Sequence, residues 1–137
     1  MKVSQMMSDD VCVVAPGDSL QNAAILMMDK DVGSLPVGEG DRLIGFITDR
    51  DIVVRAIANG LGPEVTVRQV MSTDVKYCFE DEDIDHVARN MADLEVRRLP
   101  VVDGDKRLVG MVSLANFAQS GDARTSQNLL EGVAKPH

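Results

Sequence analysis

The chain has 137 residues, 45% of them hydrophobic and 26% charged, so it can bury a core and does not read as a disordered tail. A formal net charge of −8 argues against DNA or RNA, which want basic surface, and with no Trp, one Tyr and three Phe there is little to stack bases on. No apolar run approaches bilayer length, and the opening MKVSQMMSDDV lacks the apolar core of a signal peptide, so a cytoplasmic protein without membrane contact is expected. Cys12 and Cys78 form neither a disulfide framework nor a zinc site, and reduced, buried thiols are expected.

The chain is written twice. VSQMMSDDV from Val3 returns as VRQVMSTDV from Val67, and in the same register Ala24 meets Ala88, Met27 meets Met91, and Leu35-Pro36-Val37 meets Leu99-Pro100-Val101. One residue is inserted in the following turn, so Gly45 aligns with Gly110. The reading is an α+β chain of two βαββα repeats, residues 1–62 and 63–121, with a tail over 122–137. The linker lies around Asn59–Pro63, where Gly and Pro punctuate the chain.

In chain order, Val11–Val14 is a short strand by its β-branched content. Asp18-Ser19 caps a helix whose core face is Leu20, Ala23, Ala24, Met27 and Met28, the spacing of an amphipathic helix. Leu35–Val37 and Leu43–Ile47 flank a Gly-Glu-Gly-Asp turn and form a hairpin. A helix over Asp49–Ala58 follows, with Ile52, Val53, Ala56 and Ile57 on one face. The second copy repeats this order: a strand at Val75–Phe79, a helix with Ile84, Val87, Ala88 and Met91 inward, strands at Leu99–Val102 and Leu108–Val112, and a helix over Leu114–Gln119. Glu80–Asp83 is helix-start chemistry rather than a metal site, because acids favour the positive end of the helix dipole. The tail is polar apart from Leu129-Leu130 and Val133, and a short helix is expected there.

This duplicated unit, its Leu-Pro-Val strands and the heptad Gly45-Phe46-Ile47-Thr48-Asp49-Arg50-Asp51 resemble the tandem cystathionine-β-synthase (CBS) domain over roughly residues 3–120. The stretch 48–62 looks particularly like the stand-alone, stress-associated bacterial pairs. The resemblance implies a regulatory module that binds an adenine nucleotide in the clefts between the copies, assembles as a homodimer and modulates a protein partner not yet identified. No cofactor is required; the nucleotide is a regulatory ligand. Carried over residue by residue, one site joins Thr48, Arg50 and Asp51 to Lys76, Val96, Arg97, Arg98 and Pro100. Asp51 would accept from the ribose diol, Thr48 and the arginines would hold phosphate, and Val96 and Pro100 would flank the adenine. The second site joins Cys12, Val32, Gly33 and Ser34 to Ser113, Ala115 and Asn116. There Asn116 replaces the ribose carboxylate and Gly33-Ser34 replaces the arginine pair, so the second site is expected to be weaker.

Each residue also has a plainer role. Asp51 also reads as a first-turn helix acid, Arg97 and Arg98 as surface residues balancing nearby acids, and Met27, Met28 and Met91 as core filling. His86 and His137 lack partners at ligand spacing, and no nucleophile elbow, Walker loop or Cys–His pair is present, so an enzyme is not expected. Two functions remain open: a nucleotide sensor, or a dimeric stress-associated scaffold with vestigial pockets. A sulfonium ligand such as S-adenosylmethionine is disfavoured by the arginine pair.

Overall fold

The computed structural model describes residues 1–119, and the expected tail helix lies outside them. Two compact units result. The first is Cys12–Val75; among the described residues the second joins Met1–Val11 to the chain from Lys76 to Gln119.

In the first unit, helix α1 (Leu20–Lys30) starts where the Ser19 hydroxyl oxygen accepts from the Asn22 N–H at 3.1 Å, and ends at Asp31 in the left-handed region. Leu20, Ala23 and Met27 are buried as the spacing predicts. Ala24 and Met28 are not; Met28 is 72% exposed. They stand at the i+4 and i+8 positions from Leu20, on the rim of a stripe narrower than the expected one. Strands β1 (Ser34–Glu39) and β2 (Arg42–Thr48) form the antiparallel hairpin. The expected strand at Val11–Val14 shrinks to Val14, which pairs parallel with Val37 and bonds Pro36 and Gly38, while Val13 is exposed.

Helix α2 is α-helical over Asp49–Asp51, π-helical over Ile52–Ala56 and ends in a 3-10 turn at Ile57–Asn59. The π turn carries an extra residue per turn and swings the expected apolar stripe off the core. Ala56 is fully buried and Ile52 half-buried, but Val53 and Ile57 are 58% and 60% exposed. The unit closes with helix α3 (Val67–Val70), which sends Val67 and Val70 into the core of Leu35, Val37 and Ile47.

The second unit repeats the plan. Strand β3 (Cys78–Phe79) runs parallel to β4 (Arg98–Val102), which pairs antiparallel with β5 (Leu108–Ser113). Helix α4 (Ile84–Leu94) buries Ile84, Val87, Ala88 and Met91, the expected set. Asp83 accepts from the Asp85 N–H at 2.8 Å and so caps the helix, whereas Glu82 accepts from the Phe79 N–H at 3.0 Å in the turn before it. Helix α5 (Leu114–Gln119) buries Phe117 completely.

Each unit takes its opening turn from the other sequence copy, and the two exchanges match bond for bond. In the second unit a 3-10 turn at Val3–Gln5 buries Val3; the Val3 N–H donates to Glu82, the Ser4 N–H to Glu80, and the Ile84 N–H to Met1. In the first unit the Val67 N–H donates to Asp18, the Arg68 N–H to Pro16, and the Leu20 N–H to Val65. Every pair lies 64 residues from its counterpart. The backbone donors that a helix start leaves unpaired are thus met by a strap from the other copy.

The straps also explain two glycines. A Cβ on Gly45 would stand 2.6 Å from the Met71 sulfur and 3.0 Å from the Ser72 carbonyl oxygen; on Gly110 it would stand 2.5 Å from the Met7 sulfur and 2.9 Å from the Ser8 oxygen. Ser72 bonds both ways with Phe46, and Ser8 with Met111, at 2.8–2.9 Å. Only glycine lets the strap lie this close to β2 and β5.

Candidate functional site

Strand β2 delivers Thr48 to the first turn of α2, where it closes a reciprocal cap. The Thr48 hydroxyl oxygen accepts from the Asp51 N–H at 3.0 Å, and Asp51 Oδ2 accepts from the Thr48 N–H at 3.0 Å. The Asp51 side chain is 20% exposed, and its Oδ1 stands 3.8 Å from Arg55 Nε. The plainer role of Asp51 is therefore real, and its second carboxylate oxygen lies outside the cap, paired with Arg55. The Thr48 hydroxyl accepts within the cap and keeps its own hydrogen to donate. Arg50 is exposed, with its backbone N–H on Asp49.

Across the hairpin Ser34 stands opposite Thr48, and the Asp49 N–H donates to the Gly33 carbonyl at 2.9 Å. Val32 and Cys12 are half-buried and pack on the core of this unit. In the second unit the matching positions carry different chemistry. Arg98 stands opposite Ser113, and the Leu114 N–H donates to the Arg97 carbonyl at 3.1 Å. Asn116 Oδ1 accepts from both the Ser113 N–H, at 2.8 Å, and the Ser113 hydroxyl, at 3.1 Å. The asparagine keeps the cap that Asp51 makes and gives up its charge.

Arg97 is exposed; Arg98 is half-buried, and its Nε is a buried donor with no hydrogen-bond partner among the described residues. A charged donor left so costs more than about 1–3 kcal/mol until an acceptor meets it, and an anionic oxygen is its natural acceptor. Lys76 is exposed, Val96 half-buried and Pro100 buried within β4.

The structure gathers Thr48, Arg50 and Asp51 with Gly33 and Ser34 in one unit, and Val96, Arg97, Arg98 and Pro100 with Ser113 and Asn116 in the other. The two halves of each expected site are carried by different units. Two participants were missed at the level of sequence. Arg55 is legible in hindsight from its i+4 spacing to Asp51. Asp49, which lies against Gly33, has no local signal, because the approach is made across the hairpin.

Burial, with a smaller contribution from Glu82, pushes the Cys78 thiol up to about 12, which keeps it protonated and unreactive at neutral pH. His86 Nε2 lies 3.7 Å from Glu82 and 3.3 Å from Asn90 on an exposed face. Among the described residues no group of three or more His, Cys, Asp or Glu could hold a metal ion, and no helix is long and apolar enough to cross a membrane.

Comparison with known proteins agrees with this arrangement. The CBS domain family model matches residues 3–57 and again 67–120. The CBS domain-containing protein YhcV of Bacillus subtilis is 38% identical over 116 residues, covering 85% of this chain and 82% of that one. Hypoxic response protein 1 of Mycobacterium tuberculosis is 32% identical over 133 residues, covering 96% and 92%. Among solved structures, CBSX2 in complex with AMP superposes with a TM-score of 0.76 at 26% identity, covering 87% of this chain and 94% of that one. The CBS domain pair of protein MJ0100, in complex with 5′-methylthioadenosine and S-adenosyl-L-methionine, superposes at 0.75 with 27% identity, covering 90% and 98%. With two model matches, each spanning one sequence copy, this chain belongs to the CBS domain family and is a tandem pair of its repeats.

Proposed function

We propose that the chain is a non-catalytic regulatory module that binds an adenine nucleotide of the AMP, ADP or ATP class between its two repeats and passes that occupancy to a protein partner. The observation that carries this reading is the unpartnered, buried Nε of Arg98 beside the exposed Arg97. Two consecutive arginines in a chain of net charge −8 supply local positive charge that suits phosphate. Thr48, with a hydroxyl hydrogen to give, and Asp51, with a carboxylate oxygen outside the cap, would complete the phosphate and ribose contacts, with Arg50 and Lys76 at the margin. Val96 and Pro100 would bound the adenine. AMP bound to a relative of the same fold supports the ligand class. A cytoplasmic homodimer built on repeats 1–62 and 63–121 is part of this proposal. The exposed Val53, Val54 and Ile57 on α2 offer apolar surface for such pairing.

A second reading has an observation of its own. Asn116, Gly33 and Ser34 depart from the pattern of the binding half-sites, and a relative is named for the hypoxic response, which suits a stress-associated scaffold with vestigial pockets. A thermal-shift panel of adenosine, AMP, ADP, ATP, NAD and S-adenosylmethionine separates the two. The sensor raises its midpoint with AMP, ADP or ATP, by about 2.7 kcal/mol of stabilisation at a hundredfold excess over Kd. A midpoint unmoved by every ligand at millimolar concentration leaves the scaffold.

A further inference from the structure

We infer that Arg55 is a positioning residue that joins Asp51 to the strap of the first unit, so that a ribose seated on Asp51 tightens the strap end at Val70 and Met71. The relay lies wholly within the first unit. Its ligand rests on the nucleotide reading above, to which the relay adds a route by which occupancy leaves the site.

Arg55 is shared between two neighbours. Its Nε stands 3.8 Å from Asp51 Oδ1, the carboxylate oxygen that the Thr48 cap does not use. Its Nη1 donates to the carbonyls of Val70 and Met71 at 3.3 and 3.4 Å. These carbonyls close α3, and the last carbonyls of a helix have no partner within it. All three distances are long for such contacts, so the guanidinium is held loosely from both sides. Val70 and Met71 are buried, whereas the Arg55 side chain is 55% exposed, so the arginine reaches from the surface to a strap end set in the core. That strap end is packed in turn on β2, which leads to Thr48. The Met71 sulfur lies against Gly45, and Ser72 exchanges both backbone bonds with Phe46 at 2.9 Å.

The chemistry sets the direction. Ribose hydroxyls that donate to Asp51 Oδ1 spread the carboxylate charge over new bonds and weaken its pull on Arg55 Nε. The guanidinium then settles on the two carbonyls, and the strap end closes on the core. The second copy has Asn116 where the first has Asp51, and Ser120 where it has Arg55, so neither charge of the relay is repeated there. The relay belongs to the first copy alone.

Hydrogen exchange followed by NMR on the full chain, free and saturated with AMP, tests this. The Met71 and Ser72 amides, which donate to Val67 and Phe46, should exchange about two- to tenfold more slowly with AMP, the effect of one strengthened hydrogen bond. Saturating 2′-deoxy-AMP, with one ribose hydroxyl fewer, should slow them less. Arg55→Met and Arg55→Lys should both abolish the slowing: methionine has no donor, and one ammonium cannot span carboxylate and carbonyls. Both variants should still bind AMP within about fivefold of wild type, because the Thr48 cap holds Asp51 without Arg55. Exchange that is unchanged or faster with AMP overturns the relay while the nucleotide reading stands. Equal slowing by 2′-deoxy-AMP, a variant that keeps the wild-type slowing, or loss of AMP binding in Arg55→Lys does the same. If AMP does not bind the wild-type chain, both fall.

Discussion

The two helix caps at the ends of β2 and β5 share one bond and differ in charge. Thr48 with Asp51, and Ser113 with Asn116, each return the side chain of the third helical residue to the backbone N–H of the capping residue, at 3.0 and 2.8 Å. A carboxylate and an amide oxygen serve equally as that acceptor, so the cap alone does not require Asp51 to be charged. The arginine pair sits on the opposite partition: Arg97 and Arg98 adjoin the uncharged cap, and Gly33 and Ser34 adjoin the charged one. The frame is thus duplicated while its polar chemistry is not. Folding is carried by what the units share, and the residues that differ are those proposed to choose the ligand.

The largest effect should come from the shared frame. Deleting residues 1–8 removes Val3 from the core, roughly 1.5–3 kcal/mol, together with five backbone bonds worth about 1 kcal/mol each. The second unit should lose its cooperative transition although its own β4 and β5 are intact; hydrogen exchange that leaves α4 as protected as before would break the equivalence of the straps. Next, Gly45→Ala and Gly110→Ala should each cost about 1–3 kcal/mol in denaturant melts, by similar amounts, because each pushes a methyl group into a methionine sulfur and a serine carbonyl.

A titratable difference is confined to alkaline pH. Cys78 sits at about 12 folded against 9.0 for the free thiol, so the unfolded chain releases this proton first as pH rises. Stability from this thiol is whole below pH 9 and falls between 9 and 12, by at most about 1.4 kcal/mol per pH unit. Cys78→Ala should flatten that slope in melts across the window. Smallest is the cap itself: Asp51→Asn and Asn116→Asp should each change stability by no more than about 1 kcal/mol, since both acceptors hold the same N–H. A larger loss from either would mean that the two caps are not interchangeable.

The 64-residue register made the fold legible, because a core face repeats in sequence when its unit does. It located both hairpins and the inward residues of α4. It could not disclose the strap exchange, since VSQMM and VRQVM are alike and either copy satisfies the local pattern. Nor could it locate the π turn in α2, which no residue of Ile52–Ala56 announces and which left Val53 and Ile57 outside. At the candidate site, residue types and their chain positions were readable. The unpaired Arg98 Nε and the approach of Asp49 to Gly33 were not, because both depend on the strand facing them.

The central claim is that nucleotide binding runs through Thr48, Asp51, Arg97 and Arg98. Calorimetric titration of AMP into the wild-type chain and into Asp51→Ala, Arg98→Ala and Asn116→Ala tests it most directly. Loss of a charge-assisted bond costs about 1.5–3 kcal/mol, so the first two variants should bind roughly ten- to a hundredfold more weakly, with Asn116→Ala close to wild type. Binding abolished by Asn116→Ala and untouched by Asp51→Ala and Arg98→Ala would contradict the account.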